Sequence, residues 1–239
     1  MIFLFFGDFM KKIICLLLTF FSIFLIYRHF DNHKINYVSL GDGLIKGMNS
    51  SNIAYYGYND FVKEYLSRKN KISTFNDDFY NKTILEITED IKNNRTIWIN
   101  DKEFFLKKVL RESDILVISV GMEELFKNYQ KYDMEHNYIY FNKMYVDIEN
   151  LIKEIKKYTK GMILFLGYYN PTNYYDSKTD EFFCDIDIKL NRLMMINDIS
   201  YIDLYEKVKG NRYKDNIDTP FLNVRGYEKI AETIEYYLE

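Results

Sequence analysis

Apolar positions follow two rhythms along residues 35–239. Short, mainly apolar runs at 37–40, 115–120, 162–166 and 200–204 predict strands, and the run at 115–120 reads as one buried on both faces. A weaker strand is predicted over 71–75. Between these runs the apolar residues recur every three or four positions. Phe61, Val62 and Leu66 predict a helix over 58–69, and Ile84, Leu85, Ile87 and Ile91 predict one over 82–93. Shorter helical patterns fall at 102–110 and 185–197. Phe141, Met144, Ile148, Leu151, Ile152 and Ile155 mark the clearest helix, over 141–160, with Gly161 as its stop signal. Tyr227, Ile230, Ala231, Ile234 and Leu238 close the chain as a helix over 226–238. The polar, tyrosine-rich stretch 121–140 predicts a long loop with a helical turn. Strands alternating with helices imply an α/β fold, a three-layer α/β/α sandwich around a five-stranded parallel sheet. There is no internal repeat and no second globular domain.

Residues 1–34 follow a different pattern. Met10-Lys11-Lys12 and the apolar run from Ile13 to Tyr27 resemble the charged and apolar regions of an export signal. As a helix that run would be roughly 22 Å long at about 1.5 Å per residue, short for a hydrocarbon core of about 30 Å. Arg28, His29, Phe30, Asp31 and Asn32 follow it, and they offer no small-residue cleavage site. An uncleaved signal anchor is therefore expected over 1–34, ahead of a cleaved export signal or a buried soluble helix. It would hold a globular domain, 35–239, at the cell membrane, outside the cytoplasm. Met10 is an alternative start to Met1.

Composition narrows the partners. The net charge is −3 and no basic run stands out, which argues against a nucleic-acid binder. Only two prolines occur, Pro171 and Pro220, so there is no Pro-rich linker. The two cysteines, Cys15 and Cys184, lie in different parts of the chain and form no disulfide framework. Tyr (23) and Phe (19) are abundant, but so are Lys, Asn and Ile, as in an AT-rich coding sequence, so these aromatics need no binding face to explain them.

Candidate chemistry begins where the first strand meets a glycine-rich turn, Gly41-Asp42-Gly43-Leu44. The carboxyl end of a strand is where many α/β enzymes hold a nucleophile. The block resembles the Gly-Asp-Ser-Leu block of the SGNH (GDSL) hydrolases. Further blocks in the family's order extend the resemblance over nearly all of 36–239. The strand 114–120 running into Gly121-Met122-Glu123-Glu124 is similar to the strand that ends in Gly-x-Asn-Asp. Gly167-Tyr168-Tyr169-Asn170-Pro171 is similar to a Gly-x-Tyr-Asn-Pro turn. The stretch from Asp218 through Phe221 to Gly226-Tyr227 is similar to the Asp-x-x-His-Pro-Asn-x-x-Gly-Tyr block. The resemblance implies a flavodoxin-like sheet. It also implies acyl transfer by a serine, with a histidine as base, an aspartate orienting that base, and an oxyanion hole of backbone and side-chain donors.

Carried over residue by residue, that machinery is missing its working parts. The serine position is Gly43, the histidine position is Phe221 and the asparagine position is Glu123. Tyr80-Asn81-Lys82-Thr83 most resembles a Gly-Asn-x-Thr stretch of the family, which puts Tyr80 at its glycine. Asp42 and Asp218 are retained. An ionised Glu123 accepts hydrogen bonds and would repel an oxyanion. Ser39, Ser50 and Ser51 are the nearby hydroxyls and His136 a loop imidazole, and no base or partner pairs with any of them in the sequence. Asp42, Glu123 and Asp218, with Glu124, form an acidic group that would suit acid–base work or a hard cation. Its plainer role is to cap turns and meet solvent. No spacing motif for a metal or cofactor is present. The sequence thus points to a pseudoenzyme, a binding or scaffolding module for an envelope glycan, lipid or protein. A hydrolase with rewired chemistry around Asp42, Glu123 and Asp218 is the alternative.

Overall fold

The computed structural model describes residues 14–22, 34–51, 53–79, 82–99, 102–129, 131, 133–172, 177–215 and 219–239. It divides into two units, one up to Lys34 and one over Ile35–Glu239. In the first, residues 14–22 form a helix (α1) whose apolar side chains are exposed, Leu16 and Phe20 among them. Among the described residues no helix is long and apolar enough to cross a membrane. The rest of the expected anchor lies outside them.

The second unit is built on a five-stranded sheet of β1 (Lys34–Gly41), β2 (Lys71–Asp78), β5 (Ile115–Ser119), β6 (Met162–Leu166) and β7 (Ser200–Ile202), in the order β2-β1-β5-β6-β7. The pairings β1/β5, β5/β6 and β6/β7 are parallel, with Gly41 opposite Ser119. Central strands of such a sheet are covered on both faces, which is why Val38, Leu40, Leu116, Val117, Ile118, Leu164 and Phe165 are all buried. The helices form two groups. α2 (Tyr58–Lys69) packs on α8 (Val224–Leu238), while α3 (Ile84–Lys92), α5 (Met122–Tyr129) and α7 (Ser177–Ile196) all pack on α6 (Met134–Lys156). Right-handed crossovers place such groups on opposite faces of a parallel sheet.

The chain leaves β1 towards β2 on one side and returns to β5 on the other. That reversal makes a switch point, the place where α/β sheets open a crevice beyond their carboxyl ends. Here the crevice lies beyond Gly41 and Ser119.

Three expectations need correction. Residues 102–110 are not one helix. Lys102–Phe105 is β4, paired antiparallel with β3 (Thr96–Ile99), and only Leu106–Glu112 is helical (α4). In the hairpin Ile97 faces Phe104 and turns inward, a period of two that the following helical residues mask. The stretch 121–140 is not a loop. It holds α5, which buries Met122, Glu123, Leu125 and Phe126, and the start of α6, which begins seven residues before the predicted helix. Asp133 caps α6 by accepting a hydrogen bond from the His136 backbone N–H at 3.0 Å. Finally, α7 starts at Ser177, eight residues before the predicted helix at 185–197. It buries Phe182 and Phe183 in the core.

Candidate functional site

A hydroxyl network lies below the switch point. Tyr58 donates to Ser119 Oγ at 3.0 Å, and its hydroxyl is 3.1 Å from Ser39 Oγ. Ser39 is fully buried there, so it is part of the core and not a nucleophile. Above it, the Asp42 N–H continues the sheet by donating to Ser119 O at 2.9 Å. The Asp42 carboxylate accepts from the Leu44 N–H (3.2 Å) and from the Glu123 N–H in the first turn of α5 (3.4 Å). Asp42 therefore caps both its own turn and the helix opposite. Burial raises its pKa well above the ordinary carboxylate range, and the charge of Glu123 adds to the rise.

Gly43 and Glu123 meet directly. The Gly43 N–H donates to Glu123 Oε1 at 2.5 Å. Glu123 is buried, and its other oxygen lies 3.8 Å from Lys127 Nζ. A Cβ on Gly43 would stand 2.6 Å from Glu123 Oε1, 2.7 Å from Phe221 Cε1 and 2.9 Å from Met48 Cγ. There is no room for a serine unless these side chains move. Phe221 is 5% exposed. The position that the resemblance gives to a histidine is thus a packed ring, and the space a side chain at Gly43 would need is taken by Glu123, Phe221 and Met48.

Buried tyrosines fasten the strand ends around this plug. Tyr168 donates to Val120 O at 2.7 Å, Tyr227 to Met48 O at 2.5 Å, and Tyr169 to Pro220 O. Gly121, at φ +88°, leaves the space that the Tyr168 hydroxyl fills. Buried Lys214 donates to Thr172 O (2.8 Å) and to Asn170 O (2.5 Å), and burial lowers its pKa to about 8.

The structure brings together Asp42, Gly43, Glu123 and Phe221. Tyr80 and Asp218, like His29 and His33, lie outside the described residues. Glu124 does not join the acidic group. It accepts from the Ile84 N–H at 2.9 Å and from the Tyr140 hydroxyl at 2.7 Å, and so caps α3. His136 sits exposed in the first turn of α6 against Asp133, at 2.8 Å. Ser51 lies in an exposed turn whose N–H donates to Asn49 Oδ1. No group of three or more described His, Cys, Asp or Glu residues is placed to hold a metal. The sequence reasoning missed Met48 and Lys214. Nothing in the sequence marks Met48 as a site residue. For Lys214 the one signal is its position seven residues before Phe221.

Comparisons with known proteins bear on the fold. No family model matches the chain, and no curated protein does. Among solved structures, a lipase from a goat rumen metagenome matches at TM-score 0.70 and 19% identity, covering 85% of this chain and 97% of that one. An acetylxylan esterase from Geobacillus stearothermophilus matches at 0.64 and 12%, covering 84% and 93%. A member of the lipolytic G-D-S-L family from Veillonella parvula matches at 0.59 and 13%, covering 86% and 99%. The chain has the fold of the SGNH (GDSL) hydrolases.

Proposed function

We propose that this protein is a catalytically inactive SGNH-fold module, held at the cell membrane by its N-terminal segment, which binds or scaffolds components of the cell envelope. The observation that carries the reading is the Gly43 N–H bonded to Glu123 Oε1. In acyl transfer such a donor must be free to meet the developing oxyanion. Here an internal carboxylate already holds it, beside a position with no nucleophile and a ring where a base would stand. The domain keeps the fold and fills the reaction centre with its own side chains. The apolar run from Ile13 supports the membrane placement.

The test is turnover of short-chain nitrophenyl esters and acetylated glycans by the purified full chain. The reading expects rates at buffer background and no covalent labelling by a fluorophosphonate. Turnover that Asp42→Asn abolishes would overturn it. Carbonate extraction of cell membranes tests the anchor, which should remain in the pellet.

A second reading is a hydrolase with rewired chemistry at Asp42, Glu123 and Asp218. It draws on the raised pKa of Asp42, which burial and the charge of Glu123 push above the ordinary carboxylate range. Asp42 and Glu123 are both buried and bonded to backbone N–H groups, which leaves them poorly placed to reach a substrate. Calorimetric titration with Ca²⁺, Mg²⁺ and Mn²⁺ separates the readings. Heat that disappears in Glu123→Gln would favour the second.

A further inference from the structure

The centre of the crevice is filled, yet an open cavity of about 450 Å³ lies beside it, between the loop after β1 and the first turn of α8. Asn49 and Tyr55 line it from the loop, and Asp215, Leu222, Arg225 and Tyr227 from the C-terminal segment. Its size is that of a small-molecule site. Leu222 and Tyr227 are buried and form an apolar floor, while the Tyr55 ring is 58% exposed.

Two charged side chains of this cavity, Asp215 and Arg225, are unused. Among the described residues, neither the Asp215 carboxylate nor the Arg225 guanidinium makes an ion pair or a side-chain hydrogen bond, and the two do not pair with each other. Asn49 Oδ1 accepts from the Ser51 and Ile53 N–H groups, both at 3.0 Å. That fixes the amide and leaves its Nδ2 group to donate elsewhere. A ligand here meets a pure acceptor at Asp215 and a pure donor at Arg225. An anion would be repelled by the first and an ammonium by the second. A hydroxyl both donates and accepts, so adjacent hydroxyls can satisfy the two at once. The flat apolar face of a sugar ring suits the exposed tyrosine.

We propose that this cleft binds a carbohydrate, with neighbouring hydroxyls between Asp215 and Arg225 and a ring face on Tyr55. The proposal rests on the binding-module reading above and gives that module a ligand class.

Saturation-transfer NMR on the full chain in lipid nanodiscs tests it, with cellobiose, maltose and N,N′-diacetylchitobiose as probes. Transfer to at least one disaccharide is expected. Asp215→Asn and Arg225→Gln should each weaken it about tenfold, as for a lost hydrogen bond to a charged group. Both side chains are exposed, and unchanged circular dichroism would show that the variants fold. No transfer from any of the three sugars overturns the proposal, as does transfer that survives in both variants. Inorganic phosphate provides the control. Phosphate binding that Asp215→Asn strengthens would mark an anion site and overturn it too. Ester turnover by the same sample would defeat the inactive-module reading, whatever the sugars do.

Discussion

Two neighbouring parts of the crevice have opposite characters. At the switch point, Asp42, Gly43, Glu123, Met48 and Phe221 are packed and bonded to one another, and little of them reaches solvent. Beside it lies an open cavity lined by Asn49, Tyr55, Asp215 and Arg225, where the two charged side chains have no ion-pair or side-chain hydrogen-bond partner among the described residues. The first region has the chemistry of a core and the second that of a surface waiting for a ligand. The adjoining backbone is shared, since Met48 precedes Asn49 and Phe221 precedes Leu222. Close packing at the switch point therefore need not close the cleft next to it.

The contrast predicts where substitutions will hurt. The largest effect should come from Phe221→Ala. It empties a packed aromatic site and should cost about 3–5 kcal/mol of stability, read from denaturant unfolding. A loss below about 1 kcal/mol would mean the ring is not part of a core.

The next effect is electrostatic. Lys214 titrates at about 8 in the folded chain, against an ordinary 10.5. Between those values the unfolded chain holds more protons, so stability should rise with pH across that window, by on the order of 2–3 kcal/mol. Below pH 8 both states carry the charge and the folded state bears the full burial cost. Lys214→Met should flatten the slope.

Gly43→Ser comes third. Its Cβ would press on three side chains, and overpacking of this kind costs about 1–3 kcal/mol. The variant should remain inert towards esters, because the Gly43 N–H is still engaged and no base is supplied. The smallest effect should come from Arg225→Ala in the open cleft, within about 0.5 kcal/mol. A large loss there would erase the distinction between the two regions.

Much of this was legible in the sequence. The apolar runs at 115–120 and 162–166 located central strands to within a residue, because strands buried on both faces leave no polar positions to blur their ends. The helix 58–69 was placed correctly from its apolar spacing. The β3/β4 hairpin was not found, since Phe104 and Phe105 run directly into the apolar positions of α4 and four-residue strands carry little periodicity. The start of α6 was hidden by tyrosines, which pack on core and meet solvent at once. Its Asp133 cap was the available signal. The resemblance put Gly43, Phe221 and Glu123 at the positions of a serine, a histidine and an asparagine. That Glu123 turns back onto the Gly43 N–H could not be read there, because it depends on how β1 and α5 are juxtaposed across 80 residues of chain. Glu124 shows the same limit. Its sequence neighbour enters the site, while its own carboxylate caps α3 on another face of α5.

The central claim is that the chain's own carboxylate occupies the backbone donor at the switch point. The amide proton of Gly43 reports on this directly. In the full chain it should resonate far downfield and exchange slowly with water, and Glu123→Ala should remove both features. A Gly43 amide that exchanges freely in the unaltered protein, or that is indifferent to Glu123→Ala, would contradict the account.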